Sequence, residues 1–210
     1  GEMVESELGM IPKGWEVKKF GELVKIHTKS IKPFENPEET FEHYSIPAFD
    51  LQGFPEFDKG AAIRSNKYQV LEESILISKL NPRIKRIWLP LNITKMCVCS
   101  TEFINYIPRN KKLRNFCYSV IDSCGFNDFL VQNATGSTNS RQRVKPRDML
   151  DYLISLPYEE SLLLSFDKII APFYALVNKN KIEIEFIKRL RDTLLPKLMS
   201  GEIRVPLDQE

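Results

Sequence analysis

The sequence predicts an α+β (mixed α/β) globular domain, residues 1–157, followed by a long C-terminal coiled-coil-type α-helix and tail, residues 158–210. Three observations predict this. Short runs rich in β-branched and aromatic residues, bounded by turn formers, recur between residues 15 and 107. Residues 110–124 place Leu113, Phe116, Cys117, Val120 and Ile121 at the i, i+3, i+4, i+7, i+8 spacing of an amphipathic helix. Residues 159–200 lack glycine, and their apolar residues repeat every seven.

Taken in order, residues 1–14 are polar and acidic and read as an extended, linker-like lead-in. Residues 15–20 read as a short strand, 21–26 as a turn or strand, and 29–40 as a polar loop with Pro33 and Pro37. Strand-sized pieces follow at Tyr44 to Phe49, at Ile63, at Ile75 to Leu80, at Ile87 to Leu89, at Cys97 to Ser100 and at Phe103 to Ile107. The amphipathic stretch 110–124 comes next. Residues 133–143, small and polar with one glycine, form a loop or tight turn. Arg147 to Leu150 suits a helical turn, and Leu153 to Leu156 a last strand ending at Pro157.

In the final stretch Phe166, Phe173, Ile187 and Leu194 fall at heptad position a, with Asn180 also at a, and Ile169, Leu176 and Leu190 fall at d. Pro172 lies inside this pattern, so a kink or break is expected there. Gly201 supplies the stop. Unbroken, the helix would span about 60 Å, and the part after Pro172 about 40 Å. A free helix of this pattern exposes its apolar stripe, so a helical partner is expected, and Asn180 would fix its register.

Composition narrows the chemistry. At 210 residues, 42% hydrophobic and 28% charged, the chain has apolar material for one substantial core. None of the nine glycines lies within four residues of another, so G-x-G-x-x-G cannot occur; after Gly9 and Gly14, Trp15 and Glu16 stand where a phosphate loop needs Lys and Ser/Thr. Cys97, Cys99, Cys117 and Cys124, with only His27 and His43, show no zinc-ligand spacing and read as free buried thiols in a reducing cytoplasm; no metal or cofactor is expected. No apolar run approaches the roughly 18 residues of a membrane span. The chain reads as soluble and cytoplasmic.

The total charge of +2 conceals a strong pattern. Residues 1–75 hold 9 Lys/Arg against 14 Asp/Glu, residues 76–147 hold 13 against 3, and residues 148–210 hold 8 against 11. A net +10 middle third suggests a polyanion-binding face. Within it, Lys79, Asn81, Arg83, Lys85 and Arg86 crowd into eight residues after an apolar strand. Arginine suits bidentate contact with guanine, and Asn or Gln with adenine, so Asn81, Arg83, Arg141, Gln142 and Arg143 are candidates for base or phosphate contact. Ser137 and Thr138, beside Gly136, suit phosphates through hydroxyl and backbone N–H.

Three segments carry a family resemblance. Residues 190–203, LRDTLLPKLMSGEI, resemble the ending of the DNA-specificity (S) subunits of type I restriction-modification systems. Residues 7–17, ELGMIPKGWEV, look like the segment that opens a target recognition domain in that family. Gly136-Ser137-Thr138, then Arg141-Gln142-Arg143-Val144 and the strand to Pro157, resemble a region late in such domains. The resemblance implies two recognition domains and two long helices per subunit, the helices pairing antiparallel as a spacer. This chain holds one of each, as in the C-terminal half of a full subunit or in a half-subunit that dimerises; the absent start methionine and linker-like opening favour the first.

The implied role is a non-catalytic subunit that reads one half of a bipartite target in double-stranded DNA and docks methyltransferase subunits, and through them a restriction subunit. S-adenosylmethionine would bind the methyltransferase partner, not this chain. The alternatives are a coiled-coil-linked adaptor for RNA or non-specific DNA, a self-contained methyltransferase and a nuclease. Asn81-Pro82 lacks the Pro-aromatic continuation of the adenine methyltransferase motif, and residues 76–147 contain only Glu102, Asp122 and Asp128 as carboxylates for metal ions.

Overall fold

A computed structural model describes residues 1–136, 138 and 141–204. The opening is a hairpin and not the extended linker expected from its polar composition. Met3–Ser6 (β1) and Gly9–Pro12 (β2) pair antiparallel, Ser6 opposite Gly9, and Val4 and Ile11 face each other across the pair. Trp15–Lys19 (β3) follows as expected. After a 3-10 turn, Val24–Ile26 (β4) leads to Ser30–Ile31 (β5) and Thr40–Tyr44 (β6).

The strand expected at Tyr44 to Phe49 stops at Tyr44, and Ile46–Gln52 (α1) is helical. Ser45 caps it, its Oγ accepting from the Ala48 amide at 3.0 Å, Pro47 sits in the first turn, and Gly53 at φ 65° closes the end. Two strands follow that the pattern did not announce, Glu56–Lys59 (β7) and Lys67–Gln69 (β8). Ile63 lies between them in no strand, just after a 3-10 turn, with its side chain buried. Ile75–Ser78 (β9), Ile87–Trp88 (β10), Cys97–Ser100 (β11) and Phe103–Pro108 (β12) match expectation.

The helix expected over 110–124 is a 3-10 turn followed by Arg114–Ile121 (α2), and a further helix that the pattern did not announce, Cys124–Gln132 (α3), comes after it. Ser123 starts the second, its Oγ accepting from the Phe126 amide at 3.2 Å. A 3-10 turn at Asp148–Asp151 precedes Leu153–Pro157 (β13), which pairs antiparallel with β3 from Leu153 opposite Lys19 to Pro157 opposite Trp15.

Two larger sheets build the domain, one of four strands in the order β10-β9-β12-β4 and one of five in the order β5-β8-β11-β6-β7. Side-chain alternation shows the layering. On β9 and β12, Ile75, Ile77, Ile104 and Tyr106 join a core with Cys117 and Ile121 of α2 and Phe126 and Leu130 of α3. Leu76 and Phe103 point the other way, into a second core with Trp88 of their own sheet and Tyr44, Cys97 and Cys99 of the facing sheet. Val98, on the outer side of β11, packs with Phe41 and Ile63. Cys97, Cys99 and Cys117 are buried free thiols, as expected, whereas Cys124 is exposed at the start of α3.

Glu160–Met199 (α4) is one uninterrupted helix of 40 residues, about 60 Å long. Of the kink or break expected at Pro172, the break does not occur. The hydrogen bond that proline forfeits is offset by anchors on either side. Before it, Asp167 accepts from the backbone N–H of Phe116 and from Asn115 Nδ2, each at 2.9 Å. After it, the Tyr174 hydroxyl meets Ser119 Oγ at 2.8 Å, and its ring packs edge-on against Tyr118. The α2 terminus has no side-chain cap of its own, so Asp167 serves as a cap supplied from another helix.

Candidate nucleic-acid interface

The net +10 of residues 76–147 does not all reach the surface as free charge. Arg86 is 7% exposed and grips Asp50 with two parallel bonds, Nε to Oδ1 at 2.7 Å and Nη2 to Oδ2 at 2.8 Å. Its expected DNA contact is therefore corrected to a structural one: an Arg-carboxylate fork fixes α1 against the end of the β9–β10 hairpin. Lys85 pairs with Asp122 at 2.6 Å, Arg143 with Glu102 at 3.0 Å, and Lys111 with Glu73. Arg114 donates to the carbonyls of Ser74 and Pro90, and burial pushes its pKa down to about 10.

Of the cations in this segment with no carboxylate within ion-pair distance among the described residues, Lys95, Arg109 and Lys112 lie elsewhere in the chain, whereas Lys79, Arg83, Arg141, Lys145 and Arg147 lie in or beside two segments that the fold joins. Leu80 and Arg143 form an antiparallel bridge, Asn81 donates its backbone N–H to the Gln142 carbonyl at 2.8 Å, and Val144 donates to Lys79 at 3.0 Å. Thr135 and Arg143 exchange both backbone bonds, at 2.9 and 2.8 Å. The connection between β9 and β10 therefore runs beside residues 142–144, which Arg143 ties in turn to Thr135.

Local chemistry explains both loops. Asn81 adopts φ 48°, a left-handed value that asparagine tolerates, and Ile84 donates to its carbonyl at 3.0 Å, turning the chain at Pro82-Arg83. Gly136 has φ 144°, and a Cβ there would lie 3.0 Å from Gln142 Cα and 3.1 Å from the Arg141 carbonyl oxygen. Glycine is what lets the two limbs of the hairpin approach. Thr138 accepts from the Arg141 N–H at 3.0 Å at the hairpin tip. Ser137 lies outside the described residues.

Of the ten expected contact residues, Lys79, Asn81, Arg83, Thr138, Arg141, Gln142 and Arg143 come together here, Arg143 with its charge partly answered by Glu102. Lys85 is exposed but turned to Asp122. Lys145 and Arg147 were not singled out from the sequence; their signal was position alone, one and three residues past Val144 within the basic segment. With Lys79 they stand on the rim of one cleft. A separate trio of metal-type ligands, His43, Glu56 and Asp58, gathers on β6 and β7, where His43 Nδ1 meets Asp58 Oδ2 at 2.9 Å and burial lowers the histidine pKa.

The expected helix interface is exposed along α4. Ile169, Phe173, Leu176, Ile187, Leu190 and Leu194 keep between 36% and 67% of their surface, and Asn180 is also exposed. Phe166 differs, since its ring packs edge-on against Phe116 of α2 at 5.8 Å while 40% of it stays open. The residues that face the domain are Leu163, Asp167, Tyr174 and Ile182, roughly on the opposite side of the helix from the open stripe at about 3.6 residues per turn. Among the described residues, no helix is long and apolar enough to cross a membrane.

This mixed α/β domain continued by one long helix is similar in fold to about half the length of solved type I restriction-modification S subunits. The HsdS subunit from Thermoanaerobacter tengcongensis matches with a TM-score of 0.58 at 20% identity, covering 95% of this chain and 52% of that one. A chain from a structure describing complex assembly and conformational transition of the type I R-M system matches with a TM-score of 0.57 at 23% identity, covering 95% and 52%. The S subunit from M. genitalium matches with a TM-score of 0.57 at 15% identity, covering 89% and 46%.

In sequence, the chain is 26% identical over 208 residues to the type I restriction enzyme MjaIX specificity subunit of Methanocaldococcus jannaschii, covering 93% of this chain and 46% of that protein. No protein-family model matches. In sequence and in fold, then, the chain resembles type I specificity subunits, and it spans about half the length of the relatives it matches, as one recognition domain with one helix would.

Proposed function

We propose that this chain is a non-catalytic DNA-binding module of a type I restriction-modification system. It reads one half of a bipartite target and docks methyltransferase subunits, through which a restriction subunit is recruited. The observation that carries this reading is the joining of the 79–83 and 141–147 segments, which presents five unpaired cations beside Asn81 and Gln142 on one backbone-bridged platform. Cations alone would give salt-dependent, sequence-blind binding; amide and guanidinium groups among them are what base edges require. The open stripe of α4 supports a second long helix as partner, from the same subunit or from a second copy. The working place of such a module is the cytoplasm.

The test is a target selected from a random duplex pool by the purified chain, alone and with a type I methyltransferase subunit. Arg83→Ala and Arg141→Ala are each expected to weaken binding to that target by about 1–3 kcal/mol and to relax its sequence. Unchanged discrimination between target and non-target duplex removes those residues from the reading set. Methyl transfer by the chain alone with S-adenosylmethionine would overturn the non-catalytic reading.

A further inference from the structure

Behind the basic platform, a cleft of about 460 Å³ opens between the two large sheets, within the size range of small-ligand sites. Phe103 and Asn105 of β12 line it from one sheet and Tyr68 of β8 from the other, while Lys79, Lys145 and Arg147 stand on its rim. It thus combines aromatic walls with cations that have no carboxylate partner among the described residues.

Asn105 supplies the polar element. It is 1% exposed, and its Nδ2 donates to the Gln69 carbonyl at 2.9 Å. A carbonyl can only accept, so this bond fixes which end of the amide is NH2 and leaves Oδ1 as the other end. That oxygen is buried with no hydrogen-bond donor among the described residues. A buried acceptor left unmatched in a cleft is costly, and a ligand N–H would relieve it.

We propose that this cleft receives one unstacked nucleotide of the bound DNA. The proposal rests on the DNA-binding reading above and adds to it a site for a single base. The ring lies on Tyr68, an exocyclic amino or ring N–H donates to Asn105 Oδ1, and the flanking phosphates rest on Lys79, Lys145 and Arg147. Asp148, a carboxylate on the same rim, is a further acceptor for an amino group and opposes a bare polyanion. The chemistry is that of a heteroaromatic ring joined to a phosphate, so a free mononucleotide is the other source to be distinguished.

The experiment compares, by fluorescence anisotropy with the full chain at one salt concentration, a short duplex carrying a single unpaired adenosine and the same duplex fully paired. Base stacking on an aromatic wall predicts that the bulged duplex binds at least about fivefold tighter. Asn105→Leu, checked for folding by thermal melting, is expected to abolish that preference while binding of the paired duplex persists. Should Asn105→Leu not fold, Tyr68→Leu takes its place. Deoxyadenosine monophosphate is expected to erase the preference in competition.

Equal affinity of the native chain for the two duplexes overturns the proposal, as does a preference that survives in the folded variants. Binding of the mononucleotide without any preference for the bulge also overturns it and assigns the cleft to a free nucleotide. In each of these cases the paired duplex still binds and the DNA-binding reading stands. Failure to bind either duplex sinks both.

Discussion

Asn81 and Gln142 are joined backbone to backbone, the N–H of the first donating to the carbonyl of the second at 2.8 Å. This one bond sets an amide on each loop side by side, so two segments remote in sequence act as a single surface. Whatever disturbs the approach of the loops should act on both sets of cations together.

Gly136→Ala tests this. Its Cβ has no room beside Gln142 and Arg141, and φ 144° is disfavoured for alanine. We expect a local cost of about 1–3 kcal/mol, seen as faster hydrogen exchange of the Thr135 and Arg143 amides. DNA affinity should fall although no DNA-contacting side chain has been removed. Unchanged exchange at both amides would show that the close approach is dispensable.

The unpaired cations predict a salt signature. Each of Lys145→Ala and Arg147→Ala should reduce the slope of log affinity against log salt by about 0.9 if the residue neutralises one phosphate. Lys85→Ala, whose charge is answered by Asp122 at 2.6 Å, should change the slope less. Titrations of a fixed duplex at several salt concentrations decide the point, and an equal effect of all three would deny any special place to the cleft rim.

Arg86 should matter for folding. Asp50→Asn leaves a guanidinium that is 7% exposed short of its charged partner and is expected to cost about 1–2 kcal/mol at pH 7 by denaturant melting, below the figure for a fully buried pair because Asp50 is half open. The Arg86 guanidinium holds the Asp50 carboxyl below its ordinary value. A depressed folded-state pKa gives stability that is complete above the unfolded value and lost as pH falls through the folded one. The difference between native chain and variant should therefore shrink below about pH 4. A cost independent of pH would show that shape, not charge, holds the fork.

Asp167→Ala removes the cap that α4 lends to α2. Two bonds at 2.9 Å are lost, and the expected destabilisation is about 1–2 kcal/mol by thermal or chemical melting. Asp167→Asn, which keeps an acceptor, should recover part of it. No loss in the alanine variant would mean that water caps α2 equally well.

The open stripe predicts association without a role in stability. Ile169→Asp together with Leu176→Asp should leave the melting temperature of an isolated chain nearly unchanged, since both side chains are more than half exposed. The pair should weaken association with a second helix at least about tenfold, read by sedimentation. A fall in melting temperature without loss of association would place the stripe inside the domain.

The legible parts of this fold were those whose signal is local. Leu113 to Ile121 announced a helix by spacing, and Ile75 to Ser78 a strand by composition. Ile46–Gln52 was misread although Ser45, Pro47 and Gly53 mark a helix start and stop, because a β-branched and aromatic run outweighed three boundary residues. The partners of Arg86 and of α2 could not be read at all, since Asp50 and Asp167 are brought to them by tertiary packing. The same holds for the candidate site: net charge marks the segment, but only the fold shows which of its cations are already answered by a carboxylate. Pro172 shows the reverse, a strong local signal overruled by anchors from another helix.

The pairing of β3 with β13 has a mechanical consequence. Trp15 lies opposite Pro157, and the Phe20 N–H donates to the Tyr152 carbonyl at 2.7 Å, so the chain enters and leaves the domain through one clasp. The helix α4 takes its origin from that clasp and its heading from α2, and both loops of the candidate site lie outside these two fixings. Loops and long helix are thereby held by separate contacts, so a change in the length of either loop need not turn the axle on which the domain is mounted.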